Sequence, residues 1–400
     1  MPKNIVCELN KCAGCMACVD ICPTNSISVV DGLEHMNAEI NSTTCVNCGR
    51  CHQVCQYNHP AKCRHPVYWL QGWGELKVRE SSSSGGLAQE LMISFIRSGG
   101  VVAACIFRNG TFGFEINDSV ENIYHFIGLK YVKSNPIGIY KSVLSILKRG
   151  QKVLFIGLPC QVSSLLNYIP QKYQDSLYTV DLICHGTPSV KLLQDSLHGY
   201  GVELTNIQNI YFRANNKFGV GTEIKKIVPD GVRDRYTMAF LQGLDYTENC
   251  YLCSYAQINR VGDLTIGDSW GSNLSEGIDK GISLVLCQTK KGKELLSHIK
   301  FHFEKVDLDN AIRKNHQLNS PSIKPPQRRV FFKNVLNGMP FNKVVLLAYP
   351  KNCIEQEIKK VLIKIGLISD QVGYNERICY WSYRQVSFSD LDMLMEACYE

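Results

Sequence analysis

Two runs of cysteine open the chain. Cys12, Cys15, Cys18 and Cys22 follow the spacing C-x2-C-x2-C-x3-C, with Pro23 next, and Cys45, Cys48, Cys51 and Cys55 repeat it 33 residues later. Thiolates at this spacing are ligands for iron–sulfur cubes. Three cysteines on one looped turn reach three irons of one cube, and the fourth points away to the other. That logic assigns Cys12, Cys15, Cys18 and Cys55 to one 4Fe–4S cluster, and Cys45, Cys48, Cys51 and Cys22 to a second. The competing metal is zinc. Zinc sites take four ligands, commonly as paired C-x2-C units, and not as two sets of three with a remote fourth. Gln56 stands where proline often follows the last cysteine; proline stiffens that turn and ligates nothing, so the assignment survives. Cys7 and Cys63 flank the module without cluster spacing and read as small buried hydrophobes.

A third group is dispersed. Cys160 and Cys184 each sit just past an apolar strand, at the edge where open α/β sheets build their sites. Cys250 and Cys253 add a C-x2-C pair. On the residues alone, a third iron–sulfur site, a structural zinc and unliganded cysteines all stay open. His185 reads as a turn residue beside that site. Cys105 and Cys287 lie inside apolar strands and read as core, and Cys353, Cys379 and Cys398 lack partners at ligand spacing. Ser82-Ser83-Ser84-Gly85-Gly86 precedes a helix. Hydroxyls and amides there could cradle the diphosphate of a flavin dinucleotide; a plain N-cap is the bland alternative.

The elements that must position these residues are legible in part. The hairpin of the first module is expected near Ser26–Val30 and Glu39–Ile40, around Asp31-Gly32. Residues 60–80, with Pro60, Pro66, Gly72 and Gly74, read as a linker. A helix then begins at Leu87 and stops at Gly99-Gly100, followed by a strand at Val101–Phe107. Helices are expected at Ile139–Lys148, Gln161–Tyr168 and Ser189–Gly199, alternating with strands at Val153–Leu158 and Tyr178–Cys184. Such alternation implies a parallel sheet. Further strands are expected near Ile210–Arg213, Ile224–Val228, Asp263–Ile266 and Ile282–Gln288. Ser320–Arg329 reads as an exposed arm, and Lys324, Arg328, Arg329 and Lys333 as solvated charges on or beside it. In the last stretch Ile354, Ile358, Val361 and Leu362 share one helical face. The fold class is an α+β ferredoxin-like N-terminal module followed by an α/β domain with a largely parallel or mixed sheet. The expected divisions are 1–60, a linker at 61–80, 81–335, and a mainly helical extension at 336–400.

Composition narrows the function. The chain has 400 residues, 45% hydrophobic and 20% charged, which excludes a disordered protein. Runs such as Val153–Leu158 and Val344–Tyr349 fall short of the ~20 residues that cross a bilayer, and no apolar leader follows Met1, so a cytoplasmic protein without a membrane span is expected. Forty-three basic against 36 acidic residues gives +7, too mild to argue for nucleic acid. The abnormal number is 19 cysteines, which in a reducing compartment means metal or redox chemistry.

Six segments then occur in a familiar order: Ser82–Gly86, Gly128–Ser134, Gly157–Gln161, Ile183–Ser189, the Cys250/Cys253 pair and Gly262–Gly271. Together they resemble the coenzyme F420 hydrogenase/dehydrogenase beta-subunit family, in the branch that carries an N-terminal two-cluster ferredoxin, over roughly residues 1–335. Leu129 departs from the small residue expected before Lys130-Tyr131. The resemblance implies FAD in the α/β domain, and a third 4Fe–4S cluster on Cys160, Cys184, Cys250 and Cys253. It implies electron transfer between ferredoxin-type clusters, FAD, and a two-electron carrier or organic substrate, with a deazaflavin or a polysaccharide-pathway substrate among the possibilities. Partners would be a ferredoxin or another redox protein. Ser82, Ser83, Ser84, Gly85, Gly86, Lys130, Tyr131, Asp263, Asp268 and Trp270 become the candidate flavin contacts, with Lys130 as the charge that stabilises a reduced ring. The alternatives are a non-catalytic electron-transfer subunit of a larger complex, or a redox sensor.

Overall fold

The structure, a computed structural model, describes residues 4–214, 217–224, 227–274 and 280–367. In the N-terminal module β1 (Ile27–Asp31) pairs antiparallel with β2 (Met36–Ile40). The turn between them is held by the Leu33 amide, which donates to Asp31 Oδ1 at 2.9 Å. The remaining strands are β3 (Tyr68–Gly74), β4 (Val101–Arg108), β5 (Thr111–Asn117), β6 (Val153–Gly157), β7 (Leu177–Leu182), β8 (Ile210–Ala214), β9 (Lys217–Thr222), β10 (Leu264–Asp268), β11 (Ser283–Cys287) and β12 (Phe301–Glu304). Eight of them form one sheet in the order β12-β3-β11-β10-β7-β6-β4-β5, while β8 and β9 make a separate hairpin. β4, β6, β7 and β10 run parallel; β5, β11 and β12 pair antiparallel with their neighbours. The sheet is therefore mixed, with a parallel centre.

The parallel centre follows from sequence. Val153-Leu154-Phe155-Ile156 is apolar at every position and buried at every position, as a strand covered on both faces must be. Alternate residues go to opposite faces. Val101, Ala103, Val153 and Phe155 join one core with helices Ile139–Lys148 and Pro159–Tyr168, whereas Val102, Ala104, Leu154 and Ile156 join another with helix Leu87–Arg97. The first of these cores also contains Val6, Ala17, Ile27, Ala38 and Val54, so the N-terminal module and the sheet domain are packed as one interior. Hydrogen bonds stitch the seam. Tyr140 Oη donates to the Cys15 carbonyl at 2.7 Å, the Gly138 amide donates to Asp20 at 2.8 Å, and the Ala61 amide donates to Ser163 Oγ at 2.9 Å.

Three sequence expectations need correction. Residues 61–80 are not a linker: they contain β3, which lies between β11 and β12, and helix Leu76–Ser81. Gly72 and Gly74 look like chain breakers in the sequence, but Gly72 serves close approach, since a Cβ there would collide with the His302 carbonyl oxygen. No strand covers 224, 227 or 228 among the described residues, and the partner of β8 is the Gly-containing β9. The 320–329 arm is anchored: Arg328 is buried, lies 4.2 Å over the Phe332 ring and 5.0 Å over the Tyr251 ring, and with Lys324 pairs with Glu248. Arg329 and Lys333 are exposed, as expected.

The C-terminal extension is helical where it is described. Helix Phe341–Ala348 buries Phe341, Val344 and Val345 against Leu192, Leu193 and Phe331. Helix Pro350–Lys364 carries Ile354, Ile358 and Val361 on one face, but that face is more than half exposed. Cys353 is the buried residue of this helix, and Cys379 and Cys398 lie outside the described residues. No described helix is long and apolar enough to cross a membrane.

Gly72→Ala should lower stability by about 1–3 kcal/mol, because the new methyl forces β12 away from β3. A lower denaturation midpoint for the loaded protein is expected; an unchanged one would mean the edge strand gives way without cost.

Candidate metal centre

Helix Ala17–Ile21 and the turn before it present Cys12, Cys15 and Cys18, and the end of helix Arg50–Val54 presents Cys55. All four line one cavity, together with Cys7, Ala13, Met16 and Gln56. The structure thus brings together the four cysteines that the spacing groups, with Cys55 coming from the second motif. The turn is shaped for the sulfurs, with the Gly14 amide donating to Cys12 Sγ at 3.4 Å. Burial pushes the Cys15 thiol up to about 12, since a lone thiolate is costly in that interior. Cys7, expected to be a bystander, is a fifth thiol in the same space. Its hydrogen bond lowers Cys55 to about 6 and lowers Cys12 as well, against the burial that raises both.

The second quartet has a different setting. Cys22, Cys45 and Cys51 are half-buried and Cys48 is exposed. Backbone amides again face the sulfurs: Ser26 N donates to Cys22 Sγ at 3.2 Å, and Asn47 N donates to Cys45 Sγ at 3.4 Å. For Cys22, burial raises the thiol, but the Ser26 and Thr24 hydrogen bonds outweigh it and leave it below its ordinary value.

The four dispersed cysteines are brought together. Strands β6 and β7 run parallel, so Cys160 and Cys184 leave the sheet at the same edge. The segment Glu248–Leu252 carries Cys250 and Cys253 to meet them. All four line one cleft of about 750 Å³. Thr187 and Thr247 hydroxyls stand 3.9 and 3.6 Å from Cys250 Sγ. Burial first, and then the nearby Cys250 and Cys253, push Cys184 up to about 12, which places these thiols within reach of one another's charge. Four gathered thiols in one cleft fit a group that supplies positive iron. No three His, Cys, Asp or Glu among the described residues are gathered as ligands of a metal ion would be. The thiols line voids, the arrangement a bulky cubane fits. The cleft and the first cavity share Ala13 and Gln56 as a common wall.

Beneath the cleft lies a buried ion pair. Arg260 is 2% exposed and donates through Nε and Nη2 to Asp181 Oδ1 at 3.0 and 2.6 Å; Nη1 and Nη2 also reach the carbonyls of Tyr255 and Leu182. Asp181 Oδ2 accepts from the Gly262 amide at 2.7 Å. The pair ties β7 to the segment that leads from Cys253 into β10.

The candidate flavin contacts divide. β10 pairs in parallel with β7 as far as Ile266 and Leu182, so Asp268 and Cys184 leave the sheet side by side. Asp268 Oδ2 accepts from Arg213 Nη1 at 2.5 Å, and its Oδ1 is buried without a partner. The Arg213 guanidinium lies 4.8 Å over Phe218 and 5.1 Å over Trp270, and Tyr131 stacks on Phe240 at 4.5 Å. Ser82–Gly86 lies near this edge, held by a Ser84 Oγ bond to the Ile282 carbonyl and a Leu129 amide bond to Ser83 Oγ. Gly85 has no room for a side chain, because a Cβ would collide with the Gly72 carbonyl oxygen. Two expectations fare differently. Lys130 Nζ donates to the carbonyls of Phe126, Ile127 and Gly128, so its ammonium closes a turn instead of standing open for a flavin. Asp263 sits at the other edge of the sheet, where it accepts from Thr179 N, Thr179 Oγ1 and Thr289 Oγ1. His185 lines the cleft and is hydrogen-bonded to Gln317 at 2.7 Å.

Residues 11–59 match the 4Fe–4S dicluster domain family, and residues 150–309 match the family described as the C terminus of the coenzyme F420 hydrogenase/dehydrogenase beta subunit. The chain joins these two domains. It is similar to an uncharacterized protein of Methanocaldococcus jannaschii, 22% identical over 369 residues, covering 80% of this chain and 97% of that relative. It is also similar to a chain of the F420-reducing NiFe hydrogenase complex from Methanosarcina barkeri, solved as a xenon derivative, at 20% identity and a TM-score of 0.43, covering 66% of this chain and 97% of that one.

The sheet domain holds residues that the sequence does not announce. Arg213, Arg260, Asp181, Lys133 and Gln317 are isolated charged and polar residues, and such residues carry no spacing signal. Asp245 is another. It is fully buried, and its carboxylate has no hydrogen-bond partner beyond its own residue. Burial pushes it up to about 8 against the attraction of Arg328.

Arg260→Leu should cost about 3–5 kcal/mol, since it leaves Asp181 charged and unpaired in the interior; equal denaturation midpoints for variant and wild type would contradict the pairing. Asp245 carries a pH signature. Its folded value lies above its unfolded one, so its contribution is complete below about pH 4 and falls by about 1.4 kcal/mol per unit until about pH 8. Asp245→Asn should therefore lose less stability than wild type between about pH 5 and pH 8; parallel profiles would refute this.

Proposed function

We propose that the protein is an iron–sulfur flavoprotein oxidoreductase that passes electrons between ferredoxin-type 4Fe–4S clusters and FAD, and on to a two-electron carrier or organic substrate. The observation that carries this reading is the cleft of Cys160, Cys184, Cys250 and Cys253, which abuts the cavity of Cys12, Cys15, Cys18 and Cys55 through Ala13 and Gln56. A chain that ended its electron path in the N-terminal module would have no use for four more thiols against its inner wall. On this reading Cys45, Cys48, Cys51 and Cys22 hold the cluster that a redox partner meets, because Cys48 is exposed. The first cavity and the cleft hold the inner two.

FAD would supply the exchange between one-electron and two-electron chemistry. Tyr131, Asp268 and Trp270 would line its place, next to Cys184 at the sheet edge, with the unpartnered Asp268 Oδ1 free to accept from it. Ser82–Gly86 offers backbone amides to its diphosphate. Lys130 would contribute to the turn that carries Tyr131, and Asp263 to the far side of the sheet.

One observation favours a second reading, a non-catalytic electron-transfer subunit of a larger complex. The side chains best suited to grip a flavin, Ser82, Ser83, Ser84 and Lys130, are already bonded within the protein.

Anaerobically purified protein should contain roughly twelve irons, matching sulfide and one FAD per chain. Cys253→Ala should leave roughly eight irons. Twelve irons without flavin would select the second reading, and roughly eight irons in the wild type would remove the cleft cluster from both.

A further inference from the structure

Lys133 enters the interior between the two inner thiol sets. Its side chain is buried, with the residue only 6% exposed. Its Nζ donates to the Ala13 carbonyl at 3.1 Å, which is the ammonium's one hydrogen-bond partner among the described residues. Ala13 belongs to the wall shared by the first cavity and the cleft, and Lys133 itself lines the cleft. The cysteine turn is built around this side chain. Gly14 has a φ of +67°, and a Cβ there would come within 3.0 Å of Lys133 Cδ. A buried cation with donors unclaimed is costly unless an anion meets it. The neighbouring cation Arg260 is already matched by Asp181 and two carbonyls.

We propose that Lys133 is the shared counter-charge of the two inner clusters, a positioning charge that makes both easier to reduce and balances them against each other. The inference rests on the reading of the cleft as a cluster site. Each cube with four thiolates is an anion, and its negative charge grows by one when it takes an electron. One cation in a low-dielectric wall between two such anions stabilises the reduced form of either. Its own burial is offset only when the anions are present.

The test is potentiometric titration of the anaerobic holoprotein, followed by electron paramagnetic resonance, together with iron content. Lys133→Gln removes the charge and keeps a donor for the Ala13 carbonyl; Lys133→Arg keeps the charge. The expected result is full iron in both variants, lower midpoint potentials for both inner clusters in Lys133→Gln, and potentials close to wild type in Lys133→Arg. The outer cluster should keep its wild-type potential in both variants. Unchanged inner potentials in Lys133→Gln, a shift confined to one cluster, or iron lost equally from both variants would overturn the proposal. Failure of the underlying reading is separate, because wild-type protein with roughly eight irons would show it before any lysine is changed.

Discussion

Everything in this molecule answers to the cost of gathering thiols away from water. An isolated buried thiolate is unfavourable, and several together are worse, because each raises its neighbours. Cys15 and Cys184 express this directly, both held near 12 by burial and by other cysteines. The chain meets the cost with oriented partners: amides from Gly14, Ser26 and Asn47, hydroxyls from Thr187 and Thr247, and the Lys133 ammonium. What these leave uncompensated is positive charge at the centre of each void, which iron would supply.

That demand explains the architecture. A turn can place three cysteines but not a wall around them, so the N-terminal module uses the sheet domain as its wall. Tyr140 reaches the Cys15 carbonyl, and helices Ile139–Lys148 and Pro159–Tyr168 contribute to the core under the first cavity. The parallel centre of the sheet does the complementary work. Parallel strands deliver their carboxyl ends to one edge, so Cys160, Cys184 and Asp268 emerge together although they are far apart in sequence. The Arg260–Asp181 pair then fixes the return of the chain from Cys253 into β10. A buried pair of this kind is weak as a source of stability but effective as a register device, since one partner without the other is strongly disfavoured.

What could be read from sequence follows from how local each signal is. The ferredoxin quartets are legible because all their ligands lie on two short turns whose spacing is the geometry. β4, β6 and β7 and the helices between them are legible because their apolar patterns are unbroken. The assembly of Cys160 and Cys184 is legible only through topology. β3 is hidden because Gly72 and Gly74 mimic breakers, while Gly72 in truth admits the backbone of β12. Arg328 is hidden because a run of basic residues looks solvated until Tyr251 and Phe332 are seen on its faces. Lys130 and Asp263 have the right chemistry for a cofactor site, but three carbonyls claim one and two threonines the other. A sequence motif records which residue is present, and not whether its polar atoms are already engaged.

The three thiol sets differ in environment in a consistent direction. The outer one reaches solvent at Cys48, the four cysteines of the first cavity are buried, and the cleft has a buried cation on its wall. Solvent exposure, sulfur hydrogen bonds and net charge are the factors that set a cluster's potential. An enclosed anion is harder to reduce than an exposed one, so a path that only went inward would run uphill. A lysine at the wall common to the two inner sites would counter that rise. The Lys133 ammonium on the Ala13 carbonyl makes the seam between the two domains polar as well as apolar.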